Sequence, residues 1–217
     1  MDKKKFLEAL NKAKQDSKKR NFKQKVDLIV NLKDLDLKKP DQQVEFFLKL
    51  RYNKGKESKI CALVGPELSA KAKSSCDNCI VSDDFQKYAG DKKLSKKLCN
   101  EYDFFIAQAN MMAKVAAAFG RILGPKGKMP NPKSGCVVTD KTDFNALCES
   151  LKKTVKVSAK TSLIIQLIIG NEEMKDEEIA DNAYSIYEQL THHLPNEKHN
   201  IKSVFLKLTM GKPVKVL

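Results

Sequence analysis

The chain has 217 residues, 41% hydrophobic and 31% charged, with 41 Lys and Arg against 27 Asp and Glu for a net charge of +14. This composition supports a packed core, excludes a disordered tail protein, and at ~150 residues per domain allows one large domain or two modest ones. The basic excess points to a polyanion or an anionic surface as partner. A transmembrane helix needs ~20 apolar residues, and the longest apolar run, Leu163 to Ile169, is broken by Gln166.

The opening Met1-Asp2-Lys3-Lys4-Lys5-Phe6 has no apolar core, so no secretory signal is expected. Residues 2–19 predict an amphipathic helix, with Phe6, Leu7, Leu10 and Ala13 at helical spacing. Residues 22–32 alternate, placing Phe22, Val26, Leu28, Val30 and Leu32 on one face; residues 44–51 alternate again through Val44, Phe46, Leu48 and Leu50. Two half-buried strands joined through Lys38-Lys39-Pro40-Asp41 are the expectation.

The middle of the chain changes rhythm. Short apolar strands at Ile60–Val64, Cys79–Val81 and Tyr102–Ala107 alternate with helical stretches at 67–75, 84–88, 92–99 and 110–119, and a further helix spans 143–153. Such alternation predicts a small open parallel sheet covered on both faces. Strands are expected again at 155–158 and 163–169, the second apolar enough to be central. A helix capped by Asp176 should run to His193, and a last strand should span Ile201–Met210.

Net charge falls from +9 over residues 1–59 to +5 over 60–153 and zero over 154–217. All six cysteines lie in the middle stretch and all three histidines in the last. This break predicts an α/β protein of two domains, 1–61 with 154–217 as a discontinuous terminal domain and 62–153 inserted between them. The cysteine spacing is not that of a disulfide scaffold, so reduced thiols in a cytoplasmic protein are expected.

The densest unusual stretch is Gly120 to Gly135, with four glycines, three prolines and the basic residues Arg121, Lys126, Lys128 and Lys133. Its backbone amides and charge suit an anion. It matches neither a Walker A loop nor GxGxxG, and it follows a helix where a dinucleotide fingerprint follows a strand. A plain basic surface loop, a nucleic-acid contact and a nucleotide enzyme are the readings, in which the enzyme ranks last.

Within that stretch, Leu123-Gly124-Pro125-Lys126-Gly127-Lys128-Met129-Pro130-Asn131-Pro132-Lys133 resembles the signature of the L-one family of large-ribosomal-subunit stalk proteins. Arg20-Asn21-Phe22-Lys23-Gln24, Val30 to Asp36, Gly170 to Met174 with Ile179 to Asn182, and Leu208-Thr209-Met210-Gly211-Lys212-Pro213 resemble it in the same order, with an archaeal flavour. The resemblance spans nearly the whole chain. It implies a split α/β sandwich built from both termini and an inserted Rossmann-like three-layer α/β/α domain reached through a double hinge.

It also implies a structural constituent of the large ribosomal subunit, ribosome-associated in the cytoplasm. Such a protein binds large-subunit rRNA at the mobile stalk, assists release of deacylated tRNA from the exit site, and can repress translation of its own mRNA. Neither catalysis nor a cofactor is implied. Carried over, the RNA-binding residues are Phe22, Ser203, Thr209, Met210 and Gly211, with neighbouring Arg20 and Lys25; Arg121, Lys126, Lys128 and Lys133 form a secondary basic loop.

The residues themselves supply a check. Ser203 and Thr209 share one face of their strand, opposite Val204, Leu206 and Leu208, and outward hydroxyls suit ribose and phosphate. Gly211 would let an RNA backbone come close. Two departures stand out: Lys25 replaces the small hydroxyl residue usual in archaeal members, and Arg51-Tyr52-Asn53-Lys54-Gly55-Lys56 replaces the family's Pro-His-Gly-x-Gly-Lys turn.

Cys76-x-x-Cys79 is a lone pair where a structural zinc needs four ligands, so no metal is predicted, and a redox dithiol ranks lower still. His192-His193 reads as a solvated pair. Aromatics are only 7% and Trp is absent, which argues against a base-stacking platform. The alternatives from other classes are a free-standing RNA-binding regulator or chaperone and a nucleotide-dependent enzyme on the middle domain.

Overall fold

The computed structural model describes residues 2–139 and 142–217. Close contacts divide the chain into two compact units, one running up to Lys56 and resuming at Lys153–Leu217, the other covering Glu57–Lys152. The composition-based boundary at residue 61 falls inside a strand, Ile60–Val64, that pairs entirely within the second unit, so the change of unit lies earlier, at Glu57.

The first unit begins with helix α1 (Lys3–Gln15) and strand β1 (Lys25–Leu32). β1 buries alternate residues, and Val26, Leu28 and Val30 are fully inaccessible. Phe22, placed by periodicity on the same face, lies before the strand and is exposed, because pairing starts only at Lys25. β1 is central in an antiparallel sheet with strands β8 (Ile164–Asn171), β9 (Ile201–Leu208) and β10 (Val214–Lys215), in the order β10-β9-β1-β8.

The strand expected to be central, β8, is therefore an edge, and Ile164 and Gln166 on it are exposed. Its apolar run reflects one buried face, with Ile165 and Ile169 inward, together with isoleucines on the outer face. β2 (Val44–Lys49) does not return to β1; it pairs with β7 (Thr154–Ala159) as a separate two-stranded ribbon.

Helix α7 (Asp176–His193) and α1 supply the apolar layer. Phe6 and Leu10 from α1, with Ile179, Ala183, Ile186 and Leu190 from α7, join Leu28, Val204 and Leu206 in one core. Burying each of the large side chains among these contributes ~1.5–3 kcal/mol. Asp176 is not the cap of α7: Lys175 occupies that position, and Asp176 in the first turn receives the Lys14 ammonium.

Between β2 and the second unit lies the divergent turn. The buried Asn182 side chain holds it, accepting from the Tyr52 N–H at 3.2 Å and donating to the carbonyls of Asn53 at 3.3 Å and Ile169 at 3.0 Å. Gly55 has φ +72° and lies so close to Gly170 that an added Cβ would sit 2.4 Å from its carbonyl carbon. The turn thus needs its glycine here.

The second unit has a parallel sheet ordered β4-β3-β5-β6, formed by β3 (Ile60–Val64), β4 (Asn78–Val81), β5 (Phe104–Gln108) and β6 (Val137–Val138). Helices α2 (Pro66–Ser75) and α6 (Phe144–Lys152) cover one face; α3 (Phe85–Gly90), α4 (Lys92–Glu101) and α5 (Met112–Leu123) cover the other. β3 shows why: Ile60, Ala62 and Val64 enter one apolar cluster, Cys61 and Leu63 the other. A strand buried on both faces reads as a continuous apolar run. The fold is α/β in both units, three-layered in the second. Among the described residues no helix is long and apolar enough to cross a membrane.

Candidate nucleic-acid interface

The outer face of the first unit's sheet carries a mixed surface. Register places Asp27 opposite Lys207, Ile29 opposite Phe205 and Asn31 opposite Ser203. Asn31 Nδ2 donates to Ser203 Oγ at 2.9 Å, and Ser203 is only 9% exposed. The expected outward direction of Ser203 holds, but its hydroxyl is covered and already engaged. Asp27, Ile29, Gln166, Leu167, Ile168 and Lys207 line a shallow depression on this face. Burial pushes the Asp27 carboxyl above its usual range, opposed by the Lys207 and Lys25 ammonium groups.

At the end of this sheet three segments meet: residues 17–25, 170–174 and 208–212. Gln24 joins them. Its side chain, with Gln24 only 1% exposed, donates to Ser17 Oγ at 3.3 Å and the Lys18 carbonyl at 3.4 Å, and accepts from the Met210 N–H at 3.3 Å. Its backbone N–H donates to Glu172 Oε1 at 3.1 Å, and its carbonyl accepts from the Glu172 N–H at 3.0 Å. Gln24 and Glu172 both lie in stretches that carry the resemblance, but their pairing is not visible in the sequence because the two are 148 positions apart.

Thr209 extends the β1–β9 pairing by one residue. Its backbone N–H donates to the Lys25 carbonyl at 3.0 Å, its hydroxyl accepts from the Lys25 N–H at 3.0 Å, and the same hydroxyl lies 3.3 Å from that carbonyl. The residue is exposed, yet its hydroxyl closes the strand end. Gly211 has an internal reason as well: a Cβ there would meet Leu208 Cβ at 3.2 Å.

On this scaffold sit Phe22 and Met210, which are 49% and 60% exposed. Arg20 and Lys212 are exposed and Lys25 is half-buried, while Lys23 pairs with Glu173 at 3.0 Å on the surface. Phe22, Lys25, Thr209, Met210 and Gly211 are thus carried on segments that Gln24 and Thr209 tie together. Ser203 lies further along β9, under Asn31.

The Gly120–Gly135 loop is organised differently. Lys128 Nζ donates to the carbonyls of Cys99 at 2.8 Å and Tyr102 at 2.6 Å, and the Lys126 ammonium meets Asn100 Oδ1. Both lysines therefore satisfy groups at the C-terminal end of α4, where a cation also complements the helix dipole. Arg121 and Lys133 are exposed. Asn131 shapes the rest, accepting from the Lys133 N–H through its side chain at 2.9 Å and from the Ser134 N–H through its carbonyl at 3.1 Å.

The crevice beside β3 and β5 is where an open α/β sheet would take a nucleotide. Gln108 Oε1 accepts from the Gly65 N–H at 2.9 Å in a buried position, occupying a donor at the start of α2 that a phosphate would need. Among the described residues no three or more His, Cys, Asp or Glu side chains come together to hold a metal ion.

Comparison with known proteins gives the same direction. The sequence model of the ribosomal protein L1p/L10e family matches residues 11–212. The chain is 38% identical to a protein of Methanothermococcus thermolithotrophicus over 100% of this chain and 99% of the relative. It is 42% identical to one of Methanobrevibacter smithii over 97% and 98%, and 37% identical to one of Thermococcus kodakarensis over 99% and 98%. Each of these archaeal relatives is named large ribosomal subunit protein uL1. With a match of this extent, the chain belongs to the ribosomal protein L1p/L10e family, a family of ribosomal proteins rather than enzymes.

Proposed function

We propose that this protein is a structural constituent of the large ribosomal subunit, ribosome-associated in the cytoplasm, that grips large-subunit rRNA through the junction of residues 17–25 and 208–212. The observation that carries the RNA reading is the junction itself. Phe22 and Met210 are exposed above a scaffold whose buried polar atoms are already bonded internally. Exposed apolar side chains beside Arg20 and Lys25 offer contact area and charge together, which suits folded RNA recognised by shape, ribose and phosphate. The net charge of +14 supports the same partner class.

From that grip the remaining roles follow as parts of the proposal. The inserted unit moves with the stalk RNA and assists release of deacylated tRNA from the exit site. A messenger presenting a similar RNA shape would be bound by the same junction and its translation repressed, the protein's own mRNA being the natural target. Sequencing RNA crosslinked to the protein in cells tests the reading. Large-subunit rRNA from one stalk-like helix should dominate, with crosslinks at residues 20–25 and 208–212; crosslinks confined to the inserted unit, or to messengers without rRNA, would contradict it.

A further inference from the structure

Cys76 and Cys79 look like a pair in the sequence, but the fold gives Cys76 another partner. Cys76 ends α2 in extended backbone, and its Sγ lies 3.4 Å from the Sγ of Cys148 in α6, 72 positions away in sequence. Cys148 is buried in the apolar layer shared by α2, α6 and the sheet, while Cys76 is half-buried at the edge of that layer. One sulfur is thus reachable from solvent and the other is held against it from within.

The polar environment of the two sulfurs differs. The two sulfurs share one hydrogen bond in which either can be the donor, and Lys152 lies one turn along α6 from Cys148. A thiolate is the attacking species both toward a peroxide and in disulfide formation, and the sulfur that holds the shared proton leaves the other free to react. No third His, Cys, Asp or Glu joins the two sulfurs as a metal-holding group among the described residues.

We propose that Cys76 and Cys148 form an oxidisable dithiol, which a peroxide converts into a disulfide tying the end of α2 to α6. In the first step the Cys76 sulfur attacks one peroxide oxygen. The O–O bond breaks, Cys76 becomes a sulfenic acid, and the second oxygen leaves as water with the thiol proton. In the second step the Cys148 sulfur attacks Cys76 Sγ, the S–O bond breaks, and a second water leaves with the Cys148 proton. Two thiols are oxidised by two electrons in all and one peroxide is reduced to two waters. Closing from 3.4 Å to a bond of about 2.05 Å asks for a sulfur displacement of about 1.4 Å.

The test uses the full chain, reduced and folded, exposed to hydrogen peroxide, then alkylated and mapped by mass spectrometry. Two of the six thiols should become unavailable, one peptide pair should join Cys76 to Cys148, and dithiothreitol should restore both. Cys79→Ser should form the same bridge at the parent's rate. Cys148→Ser should stop at a dimedone-reactive sulfenic acid on Cys76. The oxidised parent should also melt several degrees higher than the reduced form, as a bridge closing a long loop constrains the unfolded chain. A Cys76–Cys79 bridge in the parent, or Cys76 carried to sulfinic acid while Cys148 still alkylates, overturns the proposal without recourse to any variant.

Discussion

Gln24 is buried with its amide bonded to the segments on either side, so Gln24→Ala strands the Met210 N–H and removes the tie to Ser17 and Lys18. A stranded buried group costs ~1–3 kcal/mol, and chemical denaturation should register a loss of that size, with RNA affinity falling alongside. Thr209→Val removes a hydroxyl that closes the strand end on Lys25. Because Thr209 is exposed, the loss of stability should be smaller, about 0.5–1.5 kcal/mol. An unchanged melt for Gln24→Ala would show that the junction is not held from this residue. That Thr209 faces outward was legible from strand parity alone. What its hydroxyl bonds was not, because the partner, Lys25, lies 184 positions away.

Lys128 reverses its sequence reading in the same way. In a run of glycine, proline and lysine it reads as a surface charge for an anion, yet its ammonium is spent on the Cys99 and Tyr102 carbonyls. Charge-assisted bonds contribute about 1.5–3 kcal/mol, so Lys128→Met should destabilise the inserted unit by that order. Lys133→Met, at an exposed position of the same loop, should leave the denaturation midpoint in place. Equal midpoints for the two variants would return Lys128 to the surface.

At the scale of elements, long strands with one buried face declare themselves: β1 and β9 alternate because α1 and α7 cover one side only. β6 and β10 are two residues each and have too few positions to show a period; pairing with β5 and β9 defines them. The edge position of β8 was illegible because its outer face keeps Ile164 and Ile168 beside Gln166, and an apolar run does not reveal which face is open. The β2–β7 ribbon adds an electrostatic test. Glu45 pairs with Lys156 at 2.9 Å and Lys160 at 2.5 Å, and the Lys160 bond leads the effects that hold its carboxyl below the usual value. A depressed folded pKa stabilises the folded state at pH values above 4.5, the ordinary value, and that contribution is lost as pH falls through the depressed one. The melting difference between the parent and Glu45→Gln should therefore shrink below pH 4.5, and also in high salt. A difference that grows on acidification would contradict the pairing.

For the whole molecule, the charge split and the cysteine distribution marked an inserted segment, and the packing sets its first boundary at Glu57 because β3 belongs wholly to the second sheet. RNA binding should weaken with salt, each neutralised phosphate steepening the log–log slope by roughly 0.7–0.9; a flat salt response would remove the electrostatic part of the account. The most direct measurement compares two double variants on one stalk-helix rRNA fragment: Phe22→Ala with Met210→Ala at the junction, and Arg121→Ala with Lys133→Ala on the basic loop. Burying an exposed Phe or Met side chain against RNA contributes ~1.5–3 kcal/mol, so the junction pair should lose roughly tenfold or more in affinity with an unchanged melt. The loop pair should stay within about twofold. A junction pair that binds like the parent, with the loss appearing in the loop pair instead, would place the RNA site on the inserted unit and contradict the account.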